Sequence, residues 1–327
     1  MLQAPIRLAS RLLPKVWGGR RLVTVLGKDY AGEDPLGEAW EVSDHASHAS
    51  QVLSETLAGL TLRDLMRTRA SELLGYGSRH KIFPLLVKFL DANDWLSVQV
   101  HPDDEKVKKL SPGEGGKTEA WFVLQADPGS RIYAGLQPGV TADQLHSALV
   151  RGTVTECLHH FAPEPGDCLF LPAGTVHAVG GGVLMAEVQQ TSDATFRLYD
   201  WDRRDSQGRA RPLHIEQALA CIDWDQGPVL PKKAHNYPTI DQEGLHRESL
   251  VECKHFRIED VRGTGPFSLA TQDHCEILIV LQGQAKVAMP QGEVAVRAGE
   301  TWLLPASMPS VECAPSPSLG ALIAHPH

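Results

Sequence analysis

The sequence predicts a mainly β protein built from two small, jelly-roll-like β-barrels, with short helical insertions in the N-terminal part. Short runs of alternating polar and apolar residues recur along the chain, whereas few stretches have the spacing of a helix. Two segments of the second half repeat the pattern of two segments in the first half. With 327 residues, the chain is also long enough for about two domains.

Three short helices are predicted. In residues 62–74, apolar residues recur at helical spacing after Thr61, a suitable N-cap. Residues 141–150 form the second predicted helix, capped by Thr141, and residues 214–221 form the third. Alternating patterns predict strands at 96–101, 119–125, 183–189 and 195–199.

The internal repeat involves a strand and the turn motif that follows it. Residues 276–282 (EILIVLQ) resemble 119–125 (EAWFVLQ), since both begin with Glu and end in Val-Leu-Gln. Residues 299–305 (GETWLLP) then resemble 166–172 (GDCLFLP), with the same spacing between Gly and Pro. We interpret the segments as two copies of one barrel, although so short a match also arises by chance.

The first copy is longer than the second, and the helix at 141–150 lies in its insertion. The Pro-rich and polar stretch 225–244 has the composition of a connector, so we place the boundary near residue 240. This divides the chain into a metal-binding catalytic domain, 1–239, and a degenerate C-terminal barrel, 240–327.

The second copy is expected to be metal-free and structural. Ser310 stands where the first copy has His177, and Ser307 stands where it has Gly174. The alternative is a residual site at His274 and Glu276, which lie two positions apart.

Composition excludes several classes of protein. The formal charge of −9 argues against a general binder of nucleic acid or anionic membranes. The sequence contains neither an apolar run long enough to span a bilayer nor the features of a signal peptide. We expect a cytoplasmic protein with free thiols rather than disulfides or zinc-binding cysteines, because its cysteines are scattered: Cys157, Cys168, Cys221, Cys253, Cys275 and Cys313.

Four polar residues are candidates to hold one metal ion. Gln99 and His101 share one face of the predicted strand 96–101, and the apolar residues share the other face. Glu119 begins the next predicted strand, and His177 follows a Gly-x5-Pro-x-Gly turn. Amide, carboxylate and imidazole ligands suit Zn(II), Fe(II), Mn(II), Co(II) or Ni(II), and the lack of thiolates favours a catalytic ion. Taken singly, each residue has an ordinary structural interpretation.

Basic residues in apolar surroundings predict an anionic substrate. Lys88, Lys117 and Arg197 all lie in strand-like segments, where a buried cation needs an anion. Each one alone is explained by an ion pair with a nearby carboxylate. Together around one metal pocket they favour a phosphate monoester.

Glu187 and Gln189 share one face of the strand that follows His177. A carboxylate beside a metal and a bound carbohydrate can transfer a proton, and the alternative is that it orients a ligating histidine. The run Gly180-Gly181-Gly182 is a weak candidate for a phosphate cradle, because no helix clearly follows it.

These segments resemble the type I mannose-6-phosphate isomerases, zinc-dependent enzymes of the cupin superfamily, in their short bacterial form. The resemblance covers essentially the whole chain, and the Gly-x5-Pro-x-Gly-x2-His turn also matches a cupin signature. The matching segments are 15–19 (KVWGG), 37–43 (GEAWEVS), 90–103 (LDANDWLSVQVHPD), 116–121 (GKTEAW), 172–178 (PAGTVHA) and 189–202 (QQTSDATFRLYDWD).

The resemblance implies roles for individual residues. Zinc would be bound by Gln99, His101, Glu119 and His177, and substrate or phosphate would be contacted by Ser97, Lys88, Lys117 and Arg197. Lys117 and Arg197 are also implicated in catalysis, and Glu187 corresponds to the active-site carboxylate that we take as the base. The implied reaction interconverts mannose 6-phosphate and fructose 6-phosphate through a cis-enediol. For Glu38, Trp40 and Glu41, which also match a family segment, no role follows.

Competing interpretations remain open. An Fe(II) cupin dioxygenase would use two histidines and a carboxylate, and a non-enzymatic sugar-binding protein with two barrels would tolerate a degenerate second barrel. A cupin-type phosphoglucose isomerase shares the metal and substrate class but usually has one barrel. We expect a small phosphosugar as the partner, no nucleic acid or membrane, and a monomer or weak homodimer.

Overall fold

The computed structural model describes residues 1–204, 207–234, 244–269, 274–289 and 292–327 and confirms a mainly β fold. The helices of this part of the chain are α1 (Arg21–Thr24), α2 (Leu62–Leu74), α3 (Val107–Leu110), α4 (Ala142–Arg151) and α5 (Ile215–Cys221), with 3-10 turns at Glu55–Leu57 and Val154–Cys157.

The strands up to residue 234 are β1 (Ile6–Arg7), β2 (Arg11–Gly19), β3 (Leu36–Val42), β4 (Asp44–His45), β5 (His48–Ala49), β6 (Leu85–Ala92), β7 (Val98–Val100), β8 (Glu119–Ala126), β9 (Ile132–Leu136), β10 (Leu158–Phe161), β11 (Asp167–Leu171), β12 (His177–Val179), β13 (Val183–Gln190), β14 (Phe196–Tyr199) and β15 (Lys232–Lys233). Those that follow are β16 (Leu245–Glu252), β17 (Phe256–Gly263), β18 (Phe267–Leu269), β19 (Glu276–Met289), β20 (Gly292–Arg297), β21 (Thr301–Leu304) and β22 (Val311–Pro326).

Three main antiparallel sheets organise these strands. A seven-stranded sheet has the order β15-β11-β8-β13-β6-β3-β2, and a five-stranded sheet has the order β10-β9-β12-β7-β14. An eight-stranded sheet in the C-terminal part has the order β1-β21-β19-β22-β17-β16, with β18 and β20 paired to β22 and β19. A small pair, β4-β5, completes the described strands.

All three predicted helices are confirmed. The Thr61 side chain accepts a hydrogen bond from the backbone of Asp64, whose own side chain accepts one in return from Thr61. Thr141 and Gln144 form the same capping box at the start of α4. His214 precedes α5 but caps it with no side-chain hydrogen bond.

The predicted strands are also present, with small differences at their ends. β8 and β13 each continue one residue further than predicted, and β14 begins one residue later, at Phe196. The strand predicted at 96–101 is shortened to β7, Val98–Val100. Pro102, which has no N–H to donate to a ladder, lies two residues after the end of β7.

The repeated motifs pair in the same register. Glu119 lies opposite Leu171 in the pair β8–β11, and Glu276 lies opposite Leu304 in the pair β19–β21. In both copies the leucine immediately precedes the proline of the Gly-x5-Pro motif. The repeat in the sequence is therefore a repeat in strand pairing, whereas the division into two closed barrels stays a prediction.

The two halves share a hydrophobic core. The strand β1 pairs with β21, so that Ile6 lies opposite Leu303 in the C-terminal sheet. Buried Phe89 and Phe256, one from each half, belong to the same apolar cluster as these residues. The predicted boundary near residue 240 lies outside the described residues, and the domain division stays a prediction, with β1 attached to the C-terminal sheet.

Two further predictions concern the thiols and the membrane. All six cysteines are free, as predicted, and five of them are buried. Within the described ranges, no helix has both the length and the apolar character required to cross a bilayer.

Candidate metal centre and its pocket

The five-stranded sheet places three predicted site residues side by side. On the adjacent strands β14, β7 and β12, Arg197 and His177 each lie opposite Gln99. Val98 and Val100 point to the other side, where they pack against the apolar faces of α4 and α5. Gln99 therefore faces the interior, as the alternation of the sequence predicted.

The seven-stranded sheet contributes residues from three neighbouring strands. On β13, Gln189 lies opposite Glu119 of β8, and Glu187 lies opposite Lys88 of β6. All four side chains are almost completely buried. The pattern of alternate residues on one face therefore brings together groups that are far apart in the chain.

His101, Glu119 and His177 form a compact buried cluster. The Nε2 atom of His101 lies 3.5 Å from Oε2 of Glu119, and Nε2 of His177 lies 3.3 Å from Oε1. The exposed fraction of the three residues is 2%, 1% and 2%. Two ligands of a tetrahedral zinc ion would be about 3.4 Å apart, given bonds of about 2.1 Å.

Backbone carbonyls fix the tautomer of both histidines. Nδ1 of His101 donates to the carbonyl of Ala194 at 2.8 Å, and Nδ1 of His177 donates to the carbonyl of Thr175 at 2.9 Å. A neutral imidazole with a proton on Nδ1 has its lone pair on Nε2. Both lone pairs therefore point towards Glu119, in the form that binds metal.

A left-handed turn positions His177. Gly174 has a φ of +93°, and a Cβ atom at this position would lie 2.9 Å from Cβ of Asp223. Its N–H also donates to the carbonyl of His101, which ties the turn to a second candidate ligand. The equivalent Ser307 does not have a positive φ, so the turn differs in the C-terminal copy.

Gln99 lies next to the cluster. Its amide nitrogen is 3.4 Å from Nε2 of His101 and 3.3 Å from Nε2 of His177, and its oxygen accepts from Ser97 Oγ at 3.0 Å. A half-turn of the amide would direct the oxygen to the cluster and let the amide nitrogen donate to Ser97. Gln99 is thus placed to act as a fourth ligand.

Burial shifts the pKa of each member of the cluster towards its neutral form. Burial raises the pKa of Glu119 to about 7, despite the neighbouring Lys117. Burial and the charge of Lys117 lower the pKa of His177 to about 4, and the same two causes hold the pKa of His101 well below its usual value. Oε2 of Glu119 forms an ion pair with the ammonium of Lys117 at 3.0 Å, and Oε1 of Glu119 has no hydrogen-bond partner among the described residues. A divalent cation fits these donors.

The predicted basic residues divide into two kinds. Lys117 forms a buried ion pair with Glu119, and Lys88 forms one with Glu187 at 2.9 Å. Both pairs match the alternative interpretation that each basic residue is paired with a nearby carboxylate. Arg197 makes no ion pair with a described carboxylate. Its guanidinium donates instead to Ser97 Oγ and to the carbonyl of Pro212.

Glu187 is held by two contacts. Its carboxylate accepts a hydrogen bond from Nε1 of Trp121 at 3.0 Å and pairs with Lys88. Burial alone would raise its pKa, but the charges of Lys88 and Lys117 prevail and lower the pKa to about 2. Glu187 is therefore ionised at neutral pH.

A cavity of about 290 Å³ opens beside the cluster. Its lining contains five basic and three acidic residues, so its charge favours an anion. Three further charged residues, which were not predicted to belong to the site, also line the cavity: Lys15, Asp193 and Arg211. Lys15 and Asp193 lie in segments that match the family, whereas Arg211 lies outside them; Asp193 and Arg211 also lie outside regular strands and carry no periodic signal.

Three other sequence candidates lie in less direct positions. Glu38 lines the cavity and pairs with Lys15, whereas Glu41 pairs with Lys28 near the C-terminal sheet. Residues 180–182 form the connection between β12 and β13 and do not line the cavity.

Residues 6–119 match the model of the phosphomannose isomerase type I catalytic domain. A protein of Streptococcus mutans named mannose-6-phosphate isomerase is 36% identical over 307 residues, which cover 94% of each chain. The chain belongs to the type I phosphomannose isomerase family. A second member, mannose-6-phosphate isomerase ManA of Bacillus subtilis, is 34% identical over 89% of this chain and 90% of its own length.

Solved structures of phosphomannose isomerases have the same fold. The crystal structure of the mannose 6-phosphate isomerase from Bacillus subtilis superposes with a TM-score of 0.88, at 29% identity, over 99% of this chain and all of that one. A putative mannosephosphate isomerase from Archaeoglobus fulgidus gives a TM-score of 0.80 at 23% identity, over 100% and 99% of the two chains, which shows the fold alone.

Proposed function

We propose that this phosphomannose isomerase family member interconverts mannose 6-phosphate and fructose 6-phosphate and uses one zinc ion. The observation that carries the proposal is the buried cluster of His101, Glu119 and His177 beside a cavity rich in basic residues. Gln99 is proposed as the fourth ligand. When bound, the ion would act as a Lewis acid on the oxygens at C1 and C2 of the sugar.

The basic residues of the cavity are proposed to bind the phosphate and orient the carbon skeleton. Arg197 is the best candidate for the phosphate contact, because its guanidinium has no carboxylate partner among the described residues. Ser97, hydrogen-bonded to both Arg197 and Gln99, connects this contact to the metal cluster. Lys88 and Lys117 would stabilise negative charge that develops on the sugar oxygens.

Glu187 is proposed as the base that moves a proton between C2 and C1 through a cis-enediol. Its carboxylate is ionised, as a base must be, but its pairing with Lys88 lowers its basicity. The role therefore requires Lys88 to turn towards the substrate when the sugar binds. The structure supports this assignment over the orientation of a histidine, since Glu187 bonds to Trp121 and Lys88 rather than to an imidazole.

The test is a coupled assay of fructose 6-phosphate formation from mannose 6-phosphate. We expect activity that disappears with a strong chelator and returns with zinc. Activity that survives complete metal removal would support the isomerase reaction but would rule out a catalytic role for the metal. A folded, zinc-loaded protein without activity would overturn the proposed substrate.

The dioxygenase interpretation is not favoured, because the matched proteins named here are isomerases. Oxygen consumption by the iron-loaded protein would support the dioxygenase interpretation instead. We further propose a cytoplasmic location, in keeping with six free thiols, and a monomer or weak homodimer.

A further inference from the structure

A second cluster of metal-binding side chains lies in the C-terminal sheet. It consists of His274, Glu276 at the start of β19, and His325 near the end of β22. Nε2 of His274 lies 3.6 Å from Oε1 of Glu276, and Nδ1 of His325 lies 3.9 Å from the same oxygen. The ring centroids of the two histidines are 5.4 Å apart, compared with 4.8 Å for His101 and His177.

The carboxylate of the cluster occupies the same place in the repeated strand pairing as the carboxylate of the first site. Glu276 pairs with Leu304 as Glu119 pairs with Leu171. Between β19 and β22, which are antiparallel, Ile277 pairs with Ala324. Continuing this register by one residue places Glu276 opposite His325.

Glu119 likewise faces Gln189. His274 also precedes Glu276 by two residues, as Lys117 precedes Glu119. The second copy thus keeps the carboxylate and gains imidazoles from two positions that are Lys and Gln in the first.

The two inner residues are buried without adequate hydrogen bonding. Glu276 is 2% exposed and His325 is 3% exposed, and among the described residues neither Oε2 of Glu276 nor Nδ1 of His325 has a hydrogen-bond partner. A buried polar group without a hydrogen bond destabilises the folded state. A cation between them would satisfy both groups.

The surrounding charges resemble those of the first site. Glu276 and Glu259 are balanced by Arg247 and Arg257, just as Glu119 and Glu187 are balanced by two lysines. Oε2 of Glu259 accepts a hydrogen bond from the guanidinium of Arg247 and lies 3.7 Å from Nε2 of His325.

A carboxylate behind an imidazole can hold the proton on that nitrogen and direct the other nitrogen at a metal. Nη2 of Arg257 also lies 3.3 Å from Nε2 of His325, the nitrogen that would carry the proton. For Glu259 to accept that proton, Arg257 must turn away from the imidazole and pair only with Glu259, from which it is 3.6 Å away.

We propose that His274, Glu276 and His325 bind a second divalent transition-metal ion, with zinc as the reference metal. Imidazole and carboxylate donors suit such ions. The side chain of His274 is 40% exposed, which gives the ion a route from solvent. The proposal replaces the expectation that the second copy is metal-free, and it does not depend on the activity proposed above.

The experiment measures zinc per chain on the full-length protein after metal removal, reloading with zinc and gel filtration. We expect two ions in the unchanged protein and one in His325→Gln or Glu276→Gln. In a His101→Gln/His177→Gln background, which disables the first site, one ion should remain, and adding His325→Gln should remove it. His146→Gln, an exposed histidine on α4, is the matched control and should keep two.

The outcomes separate clearly. A single ion in the unchanged protein that is lost in His101→Gln/His177→Gln and kept in His325→Gln overturns the proposal, and so do two ions that persist in His325→Gln and Glu276→Gln. If circular dichroism shows that the buried variants are unfolded, His274→Ala at the rim supplies the test. Loss of one ion in His274→Ala supports the site, and retention of both overturns it. Because metal content is the readout, failure here is distinct from failure of the isomerase assay.

Discussion

At the scale of single residues, Glu187 is the most consequential assignment. Replacing it with Gln keeps the shape and the hydrogen bond from Trp121 but removes the proposed base. We expect kcat to fall by at least about 100-fold, the range lost with a general base, while zinc content is unchanged. Glu164→Gln, on the protein surface, is the control and should have normal kcat. A near-normal rate for Glu187→Gln would reject the base.

A second prediction distinguishes a metal ligand from a neighbouring cation. His177→Gln should release zinc more readily, because it removes a neutral imidazole donor. Lys117→Met should retain zinc at least as well as the unchanged protein, since it removes a positive charge 3.0 Å from Glu119, yet it should lower kcat/KM. Competition with a coloured chelator measures both variants. If Lys117→Met lost zinc more easily, Lys117 would have to hold the ligands in place, and this effect would outweigh its electrostatic repulsion of the ion.

At this scale the sequence predicted the residues whose positions are set locally. Spacing placed Gln99 and His101 on one face of a strand region. The convergence of His177 with them was inferred from its glycine-turn motif, which matches a cupin signature, and not from spacing. Arg211 and Asp193 reach the cavity from irregular segments, where periodicity carries no information. Only the three-dimensional arrangement brings them to the pocket.

At the scale of elements, helix ends were predictable because their signals are local. The Thr141 cap satisfies the backbone of Gln144 at the start of α4. Thr141→Ala should therefore lower the free energy of unfolding by about 1 kcal/mol, measured by urea denaturation. Ser147→Ala, exposed on the same helix, should have little effect. An equal effect of both variants would show that capping is not the cause.

Strand ends were predicted less well. The pattern of 96–101 extended the strand to His101, but β7 ends at Val100. The ring of His101 is fixed instead by the carbonyl of Ala194, which lies far along the chain. A hydrogen bond between a buried side chain and a carbonyl far along the chain does not affect the local alternation of polar and apolar residues, so the sequence pattern could not predict it.

At the scale of the whole molecule, the shared core predicts cooperative unfolding. Leu303 is fully buried in the cluster that contains Phe89 and Phe256, so it contacts a core formed by both halves. Leu303→Ala should lower stability by about 2–5 kcal/mol, and calorimetry should show one transition shifted as a unit. Leu213→Ala, 47% exposed, is the control. Two transitions, of which only one moves, would show that the halves unfold independently.

The pairing of β1 with β21 was not predicted, because nothing in a two-residue strand specifies a partner almost 300 residues away. It has a consequence for synthesis. At about 5–20 residues per second, a ribosome makes Thr301–Leu304 roughly 15–60 s after Ile6–Arg7. During that delay the outer apolar surface of the seven-stranded sheet lacks its cover from the C-terminal half. The nascent N-terminal half is therefore a natural client for chaperones until the last strands leave the exit tunnel.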